Sequence, residues 1–152
     1  MKKLLFLFTL LLFCACDEED KSVDPTIMPA TTTTGENTLG CLIDGWIYAS
    51  GRYGKPSVST FTDIDSETEE KKHCVRIESE VGIFIKMSFV LVNPTSGATC
   101  SYTNATFDGG LLEDGEGHIT RMDGRIISGT FSGGGVTEGR FDIKYQEGEE
   151  SN

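Results

Sequence analysis

The sequence predicts an all-β domain, an antiparallel meander of about eight to ten short strands that closes as a β-sandwich or a flattened barrel. Three observations carry this. Between Asn37 and Tyr145 the apolar residues recur with a period near two, no stretch sustains the 3.6-residue period of a helix, and glycine-containing turns interrupt the runs at short intervals.

Leu39, Cys41 and Ile43 alternate up to Asp44-Gly45, the pair that a two-residue type I′ hairpin favours because both central positions need positive φ. Trp46 and Tyr48 mark the returning strand, which runs to Gly51, and Val58–Ile64 is the next candidate. The charged stretch Asp65–Lys72 reads as a loop with room for one helical turn, Glu67 and Lys71 being four apart. In His73–Glu80 the side chains Val75, Ile77 and Ser79 alternate with Arg76, Glu78 and Glu80, so one face is wet. Ile83–Val92 is almost continuously apolar and is expected to be a strand buried centrally or on both faces. Asn93-Pro94 to Gly97 turns the chain into Cys100–Phe107. Glu113–His118 is an acidic hairpin loop, Ile119–Met122 a strand, and Asp123-Gly124 repeats the hairpin signal before Arg125–Ser132. Gly133–Gly135 is a loop, and Val136–Tyr145 closes the domain. Strands of about five or six residues carry Leu39, Ile43, Val75, Ile77, Phe131 and Phe141 inward, enough bulk to fill a small interior and leave no deep cavity. Trp46 is expected in the same core, or else as an aromatic platform for carbohydrate.

The 152-residue chain opens with Lys2-Lys3 and the apolar run Leu4–Phe13. This run is roughly half of the ~20 residues a bilayer-spanning helix needs, and it has the charged n-region and short h-region of a secretory signal. Ala15 supplies the small residue that a lipoprotein signal peptidase requires before a lipidated cysteine, so Cys16 is the expected lipidation site and mature N-terminus. Cys14 fits badly because Phe13 precedes it, and Phe13 also stands where the motif for Cys16 usually has an aliphatic residue. The alternative is an ordinary secreted protein in which Cys16 is incidental. The resulting organisation is a signal peptide over 1–15, a lipidated cysteine with a flexible acidic and Thr-rich stalk over 16–36, an all-β domain over 37–146 and an acidic tail over 147–152.

Losing Lys2 and Lys3 takes the net charge from -11 to -13. With no stripe of lysine and arginine, the chain repels phosphate backbones, and nucleic acid is excluded as a partner. Of the five cysteines, Cys41, Cys74 and Cys100 remain to face an oxidising compartment. Cys41 shares a face with Leu39 and Ile43 and is expected buried and free. Cys74 and Cys100 each start a strand, and a disulfide between them is expected; the chain-entropy model assigns such a loop about 3 to 4 kcal/mol.

Candidate chemistry is sparse. Asp63, Asp65 and Glu67 have the alternate spacing of the first ligands of an EF-hand loop, but Thr68 stands where that loop needs glycine and Cys74 where it needs its bidentate glutamate. His73 beside Cys74 is not a nucleophile pair, because neighbours on a strand point to opposite faces. Neither a G-x-S-x-G elbow nor an H-E-x-x-H motif occurs, and Gly133–Gly135 lacks the lysine and following helix of a phosphate-binding loop. No catalytic residue, metal ligand or cofactor is assigned.

The opening Asn37-Thr38-Leu39-Gly40-Cys41-Leu42-Ile43-Asp44-Gly45-Trp46, the later Ile127-Ser128-Gly129-Thr130-Phe131 and the ending Thr137-Glu138-Gly139-Arg140-Phe141-Asp142-Ile143-Lys144-Tyr145 resemble a family of uncharacterised all-β domains in Bacteroides-type cell-envelope lipoproteins. The acidic run Asp17-Glu18-Glu19-Asp20 after Cys16 likewise resembles the surface-export signal of such lipoproteins, the plainer reading being solubility. The resemblance covers both ends of the domain and implies a cell-envelope lipoprotein with an all-β domain, the motif residues being turn and core positions. The chain is separately expected to be a monomer, lipid-anchored at the outer membrane and exposed at the surface. It implies no activity and no catalytic residues. Three function classes follow: a tethered binding or structural module without catalysis, a lipocalin-like barrel holding a small apolar ligand, and an enzyme of unrecognised type.

Overall fold

The computed structural model describes residues 26–50 and 54–145. The expected signal peptide, Cys16, the acidic run after it and the acidic tail lie outside them. The described residues form ten antiparallel strands and no helix. These are β1 (Thr38–Ile43), β2 (Trp46–Ala49), β3 (Ser57–Ile64), β4 (Lys71–Val81), β5 (Ile85–Val92), β6 (Thr99–Phe107), β7 (Gly110–Leu111), β8 (Gly115–Met122), β9 (Ile126–Gly133) and β10 (Val136–Lys144). Several are longer than the sequence patterning implies, β4 reaching 11 residues.

All ten belong to one sheet of order β2-β1-β10-β9-β8-β6-β5-β4-β3, with β7 as a short flap on β6. It is a meander whose first and last long strands, β1 and β10, pair with each other. The sheet curls without closing. Its seam narrows at one point, where Ser50 bridges Val81 and the Gly82 amide donates to the Ala49 carbonyl at 2.9 Å.

Antiparallel pairing sorts the connections to two ends. The turns β1–β2, β4–β5 and β9–β10 and the β6–β7–β8 connection share one end, here called the rim; β3–β4, β5–β6 and β8–β9 share the other. The β1–β2 turn is the expected two-residue hairpin, with Asp44 at φ 51° and Gly45 at φ 79°. Asp123-Gly124-Arg125 makes a three-residue hairpin instead. In it only Gly124 has positive φ, and the Asp123 carboxylate accepts from the Ile126 amide at 3.1 Å. The loop after β3 has no helical turn. The Asp65 carboxylate accepts from the amides of Glu67 and Thr68, at 3.0 and 3.1 Å, and fixes a tight reversal.

The concave face is filled. Phe89 of β5 stacks on Phe131 of β9, with ring centroids 4.6 Å apart, and meets Tyr102 and Phe141 at 5.6 and 6.2 Å. Leu39, Ile43, Val75, Ile77, Phe131 and Phe141 are all buried in this one cluster, as their alternation predicts. Tyr48 of β2 packs edge-on against Phe107 of β6 at 4.7 Å, closing the interior towards the rim. Except for Phe89–Tyr102, which joins neighbouring strands, these contacts join strands several places apart in the sheet order, so the curl brings opposite walls together at side-chain contact distance. Burying each large apolar side chain there contributes roughly 1.5 to 3 kcal/mol.

Four expectations need correction. Ile83 and Phe84 are not in a strand: Gly82 and Phe84 both have φ 59°, and the chain reverses there into β5. Gly115–His118 is strand and not loop. Alternation fails to reveal it because its inward positions are Gly115 and Gly117, where a Cβ would lie 2.4 Å from the Tyr102 ring and 2.9 Å from a Leu91 methyl. Trp46 is 72% exposed at the rim, outside the core.

The disulfide is the fourth. Cys41, Cys74 and Cys100 are all free. β5 lies between β4 and β6, which puts Cys74 and Cys100 about two strand spacings, or ~10 Å, apart. A disulfide needs Cα atoms within about 4.4–6.8 Å. Cys100 also faces the core, whereas Cys74 lies on the opposite face with Arg76 and Glu78.

The described part of the expected stalk is docked on the domain. Pro29 lies against Gly40, whose missing side chain makes room for it: a Cβ there would be 2.4 Å from the proline ring. The Pro29 carbonyl accepts from Arg140 at 3.2 Å, and Asn37 Oδ1 accepts from the Lys144 amide at 3.1 Å. Between these points the segment covers Asp142.

Candidate functional site

Asp142 faces the convex side of β10 and is 1% exposed, sealed by residues 32–36. Its carboxylate accepts from Ser128 Oγ at 2.5 Å, from Thr32 Oγ1 at 2.6 Å and from the amides of Thr34, Gly35 and Glu36 at 2.9–3.1 Å. Burial works to raise its pKa. The hydrogen bonds from Ser128, Thr32, Glu36 and Gly35 outweigh it and hold the carboxyl below the usual carboxylate range. This carboxylate is saturated with donors from its own chain, and its work is to clamp the N-terminal segment.

Beside the clamp, a row of outward side chains crosses four strands: Thr99 of β6 pairs with His118 of β8, His118 with Thr130 of β9, and Thr130 with Arg140 of β10. With Glu116 and Glu138 they line an open groove of about 430 Å³. His118 Nδ1 lies 3.5 Å from Thr99 Oγ1 at the surface, and Arg140 faces Glu138 at 3.6 Å. Such a row offers polar contacts to a ligand. The hydroxyl and the imidazole meet at the long limit of hydrogen-bond distance. A second open groove of about 670 Å³, lined by Lys55, Glu78, Glu80, Lys86, Ser88 and Thr106, mixes both charges around the Ser88–Thr106 hydroxyl pair.

The residues singled out for chemistry do not converge. Asp65 is occupied with its own turn and with Lys72 at 3.3 Å, and its pKa is lowered to about 2 by the Glu67 and Thr68 amides and the Lys72 ammonium. Among the described residues no three His, Cys, Asp or Glu side chains are grouped to hold a metal ion. His73 is exposed and Cys74 buried on successive positions of β4. Burial, then the nearby Asp63 carboxylate, push the Cys74 thiol up; burial alone raises Cys100 and pushes Cys41 up to about 12. None of the three is a ready thiolate.

The third surface was missed by sequence reasoning. Among the described residues the four most exposed large apolar side chains are Leu111 (84%), Trp46 and Ile83 (72% each) and Phe84 (69%). All four sit at the rim, on or beside three different connections. The available signal was their position within two residues of Gly45, Gly82 and Gly110, at the turns or the strand ends beside them.

Compared with protein-family models, with curated proteins and with solved structures, the chain has no match in any of the three.

Proposed function

We propose that the chain is a membrane-tethered, surface-exposed envelope lipoprotein whose β-domain is a non-catalytic binding or structural module that works through its outer surfaces. The observation that carries this reading is the Phe89–Phe131 stack at 4.6 Å. Opposite walls that touch through aromatic rings fill the interior with side chains, which supports recognition by the convex face and the loops. The tether is supported by Lys2-Lys3, the short apolar run Leu4–Phe13 and the Ala15-Cys16 pair. The resemblance of the domain's two ends to envelope lipoproteins points the same way.

Two measurements test the proposal. Palmitate labelling in a bacterial host should mark the wild-type chain and not Cys16→Ser; equal labelling of the two refutes the tether. Titration of the purified domain with a fluorescent fatty acid should give no saturable binding. A stoichiometric apolar ligand would establish the lipocalin-like barrel instead.

A further inference from the structure

The rim gathers the four most exposed large apolar side chains at one end of the domain. They sit on or beside three separate connections. Trp46 begins β2 just after the Asp44-Gly45 turn, Ile83 and Phe84 make the β4–β5 tip, and Leu111 ends the β7 flap. Phe84 adds a second cost, because a bulky aromatic residue is held at φ 59°, in the left-handed region that suits glycine or asparagine. Exposed apolar area combined with backbone strain at one turn is the pattern of a surface kept for contact.

Two observations specify the occupant. Separate apolar tips, one of them tryptophan, suit a deformable headgroup layer better than a rigid protein face, and tryptophan favours that interface. The second is the direction from which the chain enters. Going backward from Asn37 at Lys144, through Thr32 at Asp142, to Pro29 at Arg140, the docked segment runs along β10 towards its rim end. Nine residues lie between Cys16 and Thr26, and the ten steps from one to the other, at about 3.3–3.6 Å each, reach at most ~36 Å. A lipid on Cys16 would keep the domain within that reach of the bilayer, and the direction of the docked segment favours the rim side leading.

We propose that the rim formed by Trp46, Ile83, Phe84 and Leu111 is a lipid-contacting surface that dips into the headgroup region of the membrane carrying the anchor. The orientation, though not the apolar rim itself, rests on the tether reading above. Asp44, Asp108, Glu113 and Asp114 lie in the same rim connections, so the surface suits zwitterionic lipid and is repelled by anionic lipid.

Trp46 is the chain's one tryptophan, so its fluorescence reports the rim directly. The full-length lipidated protein is placed in phosphatidylcholine–phosphatidylethanolamine vesicles, with and without brominated acyl chains. Flotation reads the tether, and Trp46 emission reads the rim. The expected result is flotation with a blue-shifted Trp46 emission that bromine quenches. Quenching should weaken when phosphatidylglycerol is added, and Phe84→Asp and Leu111→Asp should reduce it while flotation persists. Flotation with unshifted, unquenched emission overturns the rim proposal and leaves the tether standing. If the protein does not float, the tether fails, and the rim is judged by adding vesicles to the soluble protein: quenching upholds it and no quenching overturns it. Trp46 shielding that appears without lipid and grows with protein concentration would assign the rim to a second copy, and would overturn the proposal.

Discussion

Phe89 on β5 and Phe131 on β9 lie face to face across the interior, their rings inclined by only 28°. Their strands are separated in the sheet by β8 and β6, so this contact exists only because the sheet curls until its walls meet. Replacing Phe131 by alanine removes the stack together with its contacts to Tyr102 and Phe141. Large-to-small changes of this kind cost about 3–5 kcal/mol. Urea unfolding of Phe131→Ala should show a loss of that size, and a loss under about 1 kcal/mol would mean the interior is not packed as described.

Asp142 ties residues 32–36 to β9 and β10. Its folded pKa is depressed, so the clamp contributes fully above the unfolded value of about 3.9 and is lost as pH falls through the lower folded value. Stability should therefore fall on acidification below about pH 4, and the fall should be smaller in Asp142→Asn. Asp142→Ala strands the Ser128 hydroxyl and three amides; at ~1–3 kcal/mol for each buried donor left unpaired, and with water reaching some of them, a total of about 2–4 kcal/mol is expected. Limited proteolysis should then cut near Thr32–Glu36, which the wild type protects. Equal protection in the two proteins would contradict the clamp.

The thiols make a separate test. Under non-reducing conditions, peptide mapping should find Cys74 and Cys100 unlinked, because β5 stands between them and they face opposite sides of the sheet. In the native state Cys41 should be the slowest to alkylate, being fully buried with its Sγ 3.8 Å from Met87 Sδ and its thiol pKa pushed up to about 12. A Cys74–Cys100 cross-link would overturn the strand order.

What the sequence disclosed depended on whether side chains mark the face. Alternation at Leu39, Ile43, Val75 and Ile77 located strands and core together, and Asp44-Gly45 declared its turn by the φ values it needs. The pattern fell silent at Gly115 and Gly117, where the core is filled by Tyr102 and Leu91 from β6 and β5, the next two strands of the sheet, and these two positions supply no side chain of their own. It misled at Phe84, because an apolar residue in a turn looks in sequence like one more strand position, and at Trp46, because the first residue of a strand can stay in water at the strand's end. The Asp142 clamp was hidden because the segment it holds, Thr32 to Glu36, lies more than 100 residues away. The Cys74–Cys100 pairing failed because a sequence does not say which strands are neighbours.

The rim residues should be dispensable to the fold, and this follows from the same exposure that marks them for contact. Trp46 is 72% exposed, so truncation to alanine removes little buried area, and unfolding free energy should change by no more than about 0.5 kcal/mol. Phe84→Gly should do better than neutral. Glycine adopts φ 59° without the steric cost that a Cβ imposes, which is about 1–2 kcal/mol in the left-handed region, while the flexibility glycine adds to the unfolded chain takes back up to about 1 kcal/mol. A net gain of up to about 1 kcal/mol in urea unfolding is expected. A loss above about 2 kcal/mol for either substitution would show instead that the rim packs as part of the core.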